Sequence, residues 1–364
     1  MPFFKDLIPD SWLKFVRPYY HGFVAMFADV YFGRPSRKLV VIGITGTAGK
    51  STTAAMISHI LNADGKKCGY ITTVNFFDGH ADYLNKHGLS MPGGWLLQKQ
   101  LAKMSAAGCG YGIVECTSEG LAQNRHLGIN FDVVVFTNLS HAHLEAHGSY
   151  GNYQAAKSRL FLALQSASKK SFFPKKMIGV NLDDPMSGMF ISFSADEKFG
   201  VTFKNIVVRG ANKVYHAALA SGDATTEFNL DGVPFSLDLL GDFNAQNGAL
   251  AAACANMLGV SLEKSAETLK NLHSIRGRME TVPNSLDLTI IVDYGCEPAS
   301  FKAGVEAAAQ LPHNRLIHVF GATGGHRDAS KRFAFGKTSA QYADYIIITN
   351  DDVYDSDPKP CRGP

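Results

Sequence analysis

The sequence predicts an α/β fold: a P-loop, parallel-sheet central domain followed by a smaller Rossmann-like α/β domain. Three observations predict it. A β-branched apolar run leads into a glycine-rich turn and then a helical pattern at residues 40–53. Strand-like and helical patterns alternate through residues 68–180, and a second such series begins after Arg278. We therefore expect an N-terminal helical segment at 1–38, a central domain at 39–278 and a C-terminal domain at 279–364.

The composition indicates a soluble globular protein. The chain has 364 residues, of which 46% are hydrophobic and 18% charged. A formal net charge of +3 is too small to indicate a nucleic acid partner. The six cysteines include no C-x-x-C pair, which argues against a disulfide or zinc framework. Because no signal-peptide pattern precedes residue 40, we expect a cytoplasmic protein.

The first element is an aromatic-rich stretch at residues 12–32. It contains Lys14, Arg17, Pro18 and Asp29, so it is too polar and too interrupted to span a bilayer. We expect a helix packed on the neighbouring domain. A helix lying on a membrane surface is the alternative, and it would give peripheral membrane contact.

The central domain follows in order. A helix is predicted at residues 51–62, closed by Asp64-Gly65. Strands are predicted at 68–74, 111–116, 132–137 and 177–180, with helices at 95–107 and 152–167. This alternation favours a mainly parallel sheet with helices on both faces. Short alternating segments at 199–240 predict a small antiparallel patch, before helices at 244–258 and 262–272.

The C-terminal domain is predicted from a second series of patterns. Strands are expected at residues 288–292, 316–320 and 345–349, and a helix at 300–310. We place the boundary between the two domains near Arg278.

The turn at residues 46–51 has the residues that a triphosphate site needs. Gly46 and Gly49 allow close approach of the backbone, Lys50 can reach the β- and γ-phosphates, and the Ser51 hydroxyl can bind Mg²⁺. Ile44 stands where the general P-loop pattern has its first glycine. An ordinary glycine-rich turn is the alternative, but lysine and serine directly after glycine favour a nucleotide site.

Polar residues follow two predicted strands. Glu115 ends one of them and would face the phosphate loop, as a Mg²⁺ ligand or else as a helix cap or surface residue. His141, His143 and His147 follow another strand and indicate a metal or phosphate role or, alternatively, a solvated loop. Lys157 lies on a predicted helix and by itself is a surface lysine.

Taken in order, these blocks resemble the ATP-dependent Mur ligases, most closely the UDP-N-acetylmuramyl-tripeptide synthetase branch. The resemblance spans residues 40–358. One matching block alone would be a weak indication, but many blocks in the same order indicate the family strongly. The matching blocks are residues 44–53, 115–125, 136–148, 153–161, 181–185, 241–247, 277–280, 293–294 and 320–332.

The resemblance implies a reaction and two cofactors, ATP and Mg²⁺. ATP would phosphorylate a substrate carboxylate, and the amine of an amino acid would then attack the acyl phosphate to form an amide in peptidoglycan biosynthesis. The expected partners are small molecules: a nucleotide-sugar peptide or similar acceptor and an amino acid, with no nucleic acid. The chain is expected to be a monomer.

The resemblance also implies roles for individual residues. The implied catalytic residues are Lys50, Lys157, His143 and Glu115. The implied ATP-binding residues are Thr45, Gly46, Thr47, Ala48, Gly49, Lys50, Ser51, Thr52, Asn247, Arg278 and Asp293. The implied metal ligands are Ser51, Glu115, His143 and a carbamylated Lys157. The implied substrate-binding residues are Ser90, Met91, Thr117, Gln123, Arg125, Arg327, Arg332 and Asp351.

The sequence departs from the family pattern in four respects. Residues 1–39 are too few for the family's uridine-binding domain. Glu119, Ala142 and Cys296 replace residues of its usual motifs. At 351–354 the run Asp-Asp-Val-Tyr replaces D-N-P-R, whose arginine grips a distal carboxylate. The sequence stops early in the C-terminal domain, which suggests a truncated chain.

Two other functions remain open at this point. A folylpolyglutamate or cyanophycin type of ligase would use the same phosphate loop and lysine. A non-catalytic nucleotide-binding module would explain the missing domains. Substrate-dependent ATP turnover separates an enzyme from a module.

Overall fold

One eleven-stranded sheet organises the central part of the molecule. The computed structural model describes residues 10–86, 89–140, 148–220, 225–322 and 330–351. Within these ranges the strands of this sheet are β1 (Val40–Thr45), β2 (Cys68–Ile71), β3 (Asn75–Phe77), β4 (Asp82–Leu84), β5 (Tyr111–Glu115), β6 (Val133–Phe136), β7 (Met177–Asn181), β8 (Glu197–Thr202), β9 (Lys213–Ala220), β10 (Thr226–Leu230) and β11 (Val233–Leu237).

Helices alternate with these strands and continue beyond them. They are α1 (Asp10–Tyr31), α2 (Lys50–Ala63), α3 (Gly94–Ala106), α4 (Ser118–Ala122), α5 (Tyr150–Ser166), α6 (Ser187–Ile191), α7 (Phe243–Met257), α8 (Leu262–Lys270), α9 (Pro298–Ala309) and α10 (Ser330–Tyr342). The predicted helices lie at the expected places, with ends that differ by a few residues. The short helices α4 and α6 were not predicted, because one or two turns carry little periodic signal. The longer helix α10 was not predicted either.

The sheet is parallel in its middle and antiparallel at both edges. Its strand order is β11-β10-β9-β8-β7-β6-β1-β5-β2-β3-β4. The pairs from β9 across to β2 are parallel. The strands β1, β6 and β7 are buried at every position, as strands with helices on both faces should be. The prediction of a mainly parallel α/β sheet is confirmed.

The predicted antiparallel patch is only partly right. The strands β9, β10 and β11 pair antiparallel as expected. However, β8 and β9 pair parallel and continue the main sheet, and residues 203–210 form a loop rather than a strand. Alternation of apolar and polar residues reports an exposed face but cannot report strand direction.

Two apolar layers cover the two faces of this sheet. On one face, α2, α7 and α8 pack on β8, β10 and β11 around Ile57, Tyr215 and Phe228. On the other face, α3, α5 and α6 pack around Leu101 and Phe161. Because helices bury both faces, the carboxyl ends of the parallel strands form the accessible edge that can carry a site.

The N-terminal helix α1 packs on α3, which confirms the expected helix on the neighbouring domain. Among the described residues, no helix is both long enough and apolar enough to cross a membrane.

Residues 279–351 form two separate small sheets. The strands β12 (Glu280–Val282) and β13 (Ile290–Val292) pair antiparallel, whereas β14 (Ile317–Phe320) and β15 (Tyr345–Ile348) pair parallel. The chain between β14 and β15 includes α10. The strand predicted at 288–292 therefore forms a hairpin with β12 and does not join the parallel pair. A third apolar cluster, which includes Phe301 and Phe335, joins α9 to α10.

Candidate active site

The phosphate loop connects β1 to α2 at the carboxyl edge of the sheet. Gly46 has a φ of +155° and Gly49 a φ of +80°, which L side chains rarely adopt. A Cβ atom on Gly46 would lie 1.9 Å from Thr137 Oγ1, and one on Gly49 would lie 2.2 Å from Asn247 Oδ1. Both glycines are therefore required by conformation and by space.

Residues that follow β6 hold this loop in place. The Thr47 N–H donates to Asn138 O at 2.8 Å, and the Ala48 N–H donates to Asn138 Oδ1 at 2.9 Å. Thr137 Oγ1 donates to Ala48 O at 2.7 Å. Thr47 and Ala48, both predicted as ATP-binding residues, thus lie in a preorganised turn. Thr45 and Thr52 are buried immediately beside it.

Glu115 ends β5 and lies against the start of α2. Ser51 Oγ donates to Glu115 Oε2 at 2.6 Å, and Lys50 Nζ lies 3.8 Å from Glu115 Oε1. Glu115 is 2% exposed, so this carboxylate faces the loop as the strand-end argument predicted. Thr73 donates to both carboxylate oxygens, through its backbone N–H at 2.9 Å and its hydroxyl at 3.0 Å. Thr73 was not predicted as a site residue, and its only signal in the sequence is its position after β2.

Lys157 lies on α5 with its side chain inside the protein. It is 1% exposed, and Lys157 Nζ donates to Gly46 O at 2.7 Å. The ammonium group lies 4.6 Å from the centre of the Tyr153 ring, and the Tyr153 hydroxyl bonds Thr47 Oγ1 at 2.9 Å. The interpretation of Lys157 as a surface lysine is therefore wrong, because helix α5 turns this residue towards the phosphate loop.

Burial lowers the pKa of Lys157. Desolvation lowers the pKa of Lys157 well below its usual value, and the neighbouring charge of Lys50 lowers it further. Glu115 and Glu297 oppose this shift. The site therefore favours the neutral, nucleophilic amine more than water does.

The predicted histidine contribution cannot be placed. His141, His143 and His147 lie outside the described residues. In the ranges that the structure does describe, no three His, Cys, Asp or Glu side chains are grouped closely enough to hold a metal ion.

Three predicted nucleotide-binding residues come from elements that follow the main sheet in the chain. Asn247 on α7 faces Gly49, and Asn247 Nδ2 donates to Asn244 Oδ1 at 3.2 Å. Arg278 donates to Ser51 Oγ at 2.8 Å. Asp293 Oδ1 accepts from the backbone N–H of Met279, the residue after Arg278, at 3.0 Å. The structure thus brings Asn247 and Arg278 to the loop and places Asp293 beside them.

A further ion pair, which was not predicted, lies at the start of α9. Lys331 Nζ donates to Glu297 Oε1 at 2.6 Å, and Glu297 is 5% exposed. The charge of Glu297 raises the pKa of Lys157, so this carboxylate lies within electrostatic reach of that amine. Glu297 could have been suspected only from its place next to Cys296.

A second cluster gathers several predicted substrate-binding residues. Arg125 donates to Met91 O at 2.6 Å and to Gln123 Oε1 at 2.7 Å, and Gln123 Nε2 donates to Glu119 Oε1 at 3.0 Å. The Thr117 side chain caps the short helix α4. Ser90 precedes Met91 in the chain and is half-buried.

The other predicted substrate residues lie in the C-terminal part. Asp351 follows β15 and approaches Gly321 at the end of β14. Arg332 lies on α10, next to Lys331. Arg327 is outside the described residues. Arg332 and Asp351 thus belong to the C-terminal part, whereas the Arg125 cluster belongs to the central part.

The arrangement fits ATP with Mg²⁺. Because Gly46 and Gly49 have no side chains, the phosphates could approach the backbone of the loop closely. Ser51 and Glu115 supply the oxygen ligands that Mg²⁺ prefers. In the described part of the chain, Arg278 Nε is buried without a hydrogen-bond acceptor beside this anion site.

Comparison with protein families agrees with this geometry. The family described as the Mur ligase middle domain matches residues 44–255. The family described as the Mur ligase, glutamate ligase domain matches residues 277–361.

Individual relatives and a solved structure support the same family. The UDP-N-acetylmuramoyl-L-alanyl-D-glutamate--2,6-diaminopimelate ligase of Geobacillus kaustophilus is 33% identical over 92% of this chain and 68% of the relative. The UDP-N-acetylmuramyl-tripeptide synthetase of Roseiflexus sp. is 33% identical over 90% of this chain and 65% of the relative. A solved structure of a UDP-N-acetylmuramoyl-L-alanyl-D-glutamate--2,6-diaminopimelate ligase matches with a TM-score of 0.63 and 26% identity, over 95% of this chain and 68% of that one. The chain thus spans about two thirds of the length of these relatives.

Proposed function

The chain belongs to the Mur ligase family of ATP-dependent, amide-forming ligases, and on that premise we propose that it joins an amino acid to a carboxylate of a UDP-N-acetylmuramoyl-peptide-like acceptor. One observation carries the proposal. Lys50, Ser51, Glu115 and Lys157 come from three separate elements and converge on one phosphate loop. A structural P-loop alone would need neither the buried lysine nor the buried carboxylate.

The proposed reaction has two steps. An acceptor carboxylate oxygen attacks the γ-phosphorus of ATP, the bond to the β-phosphate oxygen breaks, and ADP leaves. The amine of the amino acid then attacks the acyl carbon, loses a proton, and expels inorganic phosphate as the amide forms. Charge accumulates on the transferring phosphoryl group, so fixed cations around it are the main catalytic requirement.

The residues of the chain have distinct roles in this scheme. Gly46 and Gly49 admit the phosphates, and Lys50 neutralises charge on them. Arg278 donates to the Ser51 hydroxyl and places a second cation beside this loop. A bound Mg²⁺ would supply further electrostatic stabilisation, held by Ser51 and Glu115. His143 is proposed as a ligand of a second Mg²⁺ on the family resemblance alone.

We assign Lys157 as a carbamylated lysine. Its neutral amine would attack CO₂, forming an N–C bond and releasing one proton. The resulting carboxylate would neutralise the buried cationic site and face the metal side of the loop. The support is the burial of Lys157, its lowered pKa and its hydrogen bond to Gly46 O.

The acceptor would lie over the Arg125 cluster. Arg125, Gln123 and Met91 are tied together by hydrogen bonds, with Ser90 and Thr117 at the edge of the group. The Arg125 guanidinium, held in this way, could donate hydrogen bonds to a carboxylate of the acceptor's peptide. Arg327, Arg332 and Asp351 are proposed to contact the incoming amino acid. We also propose that the chain acts as a monomer in the cytoplasm.

The test is transfer of an isotope. The full chain is incubated with ATP, Mg²⁺, an amino acid and UDP-N-acetylmuramoyl-dipeptide whose carboxylates carry oxygen-18. The proposal predicts an amide product by mass spectrometry and one oxygen-18 atom in each phosphate released. A panel of lysine, diaminopimelate and glutamate as amino acids identifies the one that is added.

Two results would overturn the proposal. Binding of ATP without any acceptor-dependent turnover would identify a nucleotide-binding module. Turnover only with a folate acceptor would identify the related folylpolyglutamate type. Lys50→Ala should abolish turnover, whereas the exposed Lys204→Ala is the matched control and should retain it.

A further inference from the structure

The outer face of α1 is an unusual row of aromatic side chains. Phe15, Tyr19, Phe23, Phe27 and Tyr31 recur at every fourth position and are between 55% and 71% exposed. Residues four apart lie on one side of a helix, so these rings form a continuous ridge. Neighbouring rings are in contact, with centroids 5.5 Å apart for Phe15 and Tyr19 and 6.2 Å apart for Phe27 and Tyr31.

The ridge extends onto α3 through Trp95. The Trp95 ring lies 5.0 Å from that of Tyr31 and 6.3 Å from that of Phe27, and Trp95 is 39% exposed. Val16, Tyr20, Met26 and Val30 lie beside the ridge and are also exposed. We call this set the aromatic face.

The inner face of α1 explains why the rings point outward. Gly22, Ala25 and Ala28 form the packed side of α1. A Cβ on Gly94 of α3 would lie 2.3 Å from Ala25 Cβ, so the two helices are in close contact here. A large ring does not fit this seam, and the helix cannot rotate to bury its aromatic residues.

Charges on the described part of α1 and on the segment that follows it are almost all positive. Between residues 15 and 39 the basic residues are Arg17, Arg34, Arg37 and Lys38, all exposed, while Asp29 is the one acidic residue. Asp29 is 8% exposed and therefore presents little negative charge outside. Cations thus flank both ends of an apolar surface.

We propose that the aromatic face of α1 and Trp95 docks on the surface of an anionic lipid bilayer. Exposed phenylalanine and methionine side chains would enter the boundary between headgroups and acyl chains. Tyrosine and tryptophan suit that depth because each has an apolar ring and a polar group. The arginines and Lys38 would meet lipid phosphates.

A second copy of the chain is a poorer occupant of this face. A two-fold pairing of α1 with itself would bring Arg17 of one copy near Arg34 and Arg37 of the other in the antiparallel arrangement. A parallel pairing would place like ends together. Both arrangements oppose cation to cation, whereas an anionic bilayer complements both ends.

Docking would also orient the enzyme. The Asn124 side chain donates to Pro18 O of α1 at 3.3 Å, and Asn124 precedes Arg125 of the proposed acceptor cluster. Contact of α1 with lipid would therefore hold that cluster close to the membrane surface. The docking itself does not depend on the proposed ligase activity.

The experiment is sedimentation of the full chain with vesicles. Vesicles of phosphatidylcholine mixed with phosphatidylglycerol should carry the protein into the pellet. Vesicles of phosphatidylcholine alone should carry much less, and high salt should release the protein. The chain contains two tryptophans, Trp12 and Trp95, so their fluorescence should shift to shorter wavelength on binding.

Matched variants separate docking from folding. Phe15→Ser with Phe23→Ser should reduce the partition coefficient by about tenfold or more, because two rings no longer enter the lipid. Phe172→Ser with Phe333→Ser removes two exposed rings elsewhere and should bind like the unaltered chain. Circular dichroism and ATP binding verify that each variant is folded.

Three outcomes would overturn the proposal. The unaltered chain could fail to bind the anionic vesicles, or Phe15→Ser with Phe23→Ser could bind them unchanged. Light scattering could instead show a dimer that this double variant converts to monomer without any vesicle binding, which would assign the face to a second copy.

Discussion

Two clusters of one carboxylate and two lysines lie at opposite ends of the same parallel strands. At the carboxyl end, Glu115 lies with Lys50 and Lys157 around the phosphate loop. At the amino end, Asp132 pairs with Lys170 and Lys176 just before β6 and β7. Apart from the partly exposed Lys50, both groups are buried, yet their bonding differs.

The amino-end cluster is fully bonded within the protein. Lys176 Nζ donates to Phe131 O at 2.6 Å and to Asp132 Oδ1 at 3.1 Å. Lys170 donates to Leu39 O at 2.6 Å and to Asp132 Oδ2. Asp132 Oδ2 also accepts the Val41 N–H at 2.8 Å. This group ties β1 and β6 together where no ligand is needed.

The carboxyl-end cluster is bonded unevenly. Glu115 accepts three hydrogen bonds, from Ser51 and Thr73, and Lys50 Nζ donates to Thr47 O at 2.9 Å. In the described part of the chain, Lys157 Nζ donates to a single carbonyl, that of Gly46. Lys170 and Lys176 each pair with Asp132, whereas Lys157 forms no ion pair with a described residue. The comparison teaches that burial of a lysine alone does not indicate function, whereas unfulfilled bonding next to an anion cradle does.

We expect the largest effect, a loss of kcat, from a substitution in the carboxyl-end cluster. Lys157→Ala should reduce kcat by about a thousandfold or more, because the proposed carbamate and its charge are lost. Its melting temperature should stay unchanged or rise, since a buried amine is removed. Phosphate release and thermal unfolding measure the two effects, with the exposed Lys169→Ala as control.

A substitution in the amino-end cluster should instead lower the stability of the fold. Asp132→Ala would leave two buried lysines without their carboxylate and should lower the free energy of unfolding by about 3–5 kcal/mol. Glu197→Ala breaks a surface pair with Lys175 and should cost under about 1 kcal/mol. Urea unfolding followed by circular dichroism compares them, and equal costs would contradict the distinction.

A smaller effect is expected where the C-terminal part meets the loop. Arg278→Ala removes the hydrogen bond to Ser51 and a cation near the phosphates, so the Kd for ATP should rise about tenfold. Arg276→Ala is the neighbouring control, because Arg276 pairs with Asp82 at 3.7 Å on the surface. Calorimetric titration with ATP measures both, and similar affinities would count against a role for Arg278.

We expect the smallest effect in the pH dependence of the free energy of unfolding. The pKa of Lys157 is lower in the folded chain than in the unfolded chain. Between those two values the unfolded chain binds more protons, so this group makes stability rise with pH until its unfolded pKa is reached. The slope is at most about 1.4 kcal/mol per pH unit for one proton. Lys157→Met should remove this rise in bicarbonate-free buffer, as chemical unfolding across pH would measure; an unchanged slope would mean that Lys157 is charged when folded.

The sequence predicted most of the sheet and the loop because their signals are local. The β-branched runs, the glycines of the turn and the lysine after Gly49 are adjacent in the chain. It could not predict the direction of β9 or the burial of Lys157, which depend on how distant elements pack. Thr73, Glu297 and Asn138 acquire their roles from contacts across the sheet edge, and no pattern in their neighbourhoods reports those contacts.

The most direct measurement of the contrast between the two clusters is trapping of carbamates. The folded chain is equilibrated with carbon-13 bicarbonate, its carbamates are alkylated, and its peptides are analysed by mass spectrometry. The account predicts one CO₂ adduct on Lys157 and none on Lys170 or Lys176. Adducts on all three lysines, or an active chain with none on Lys157, would contradict it.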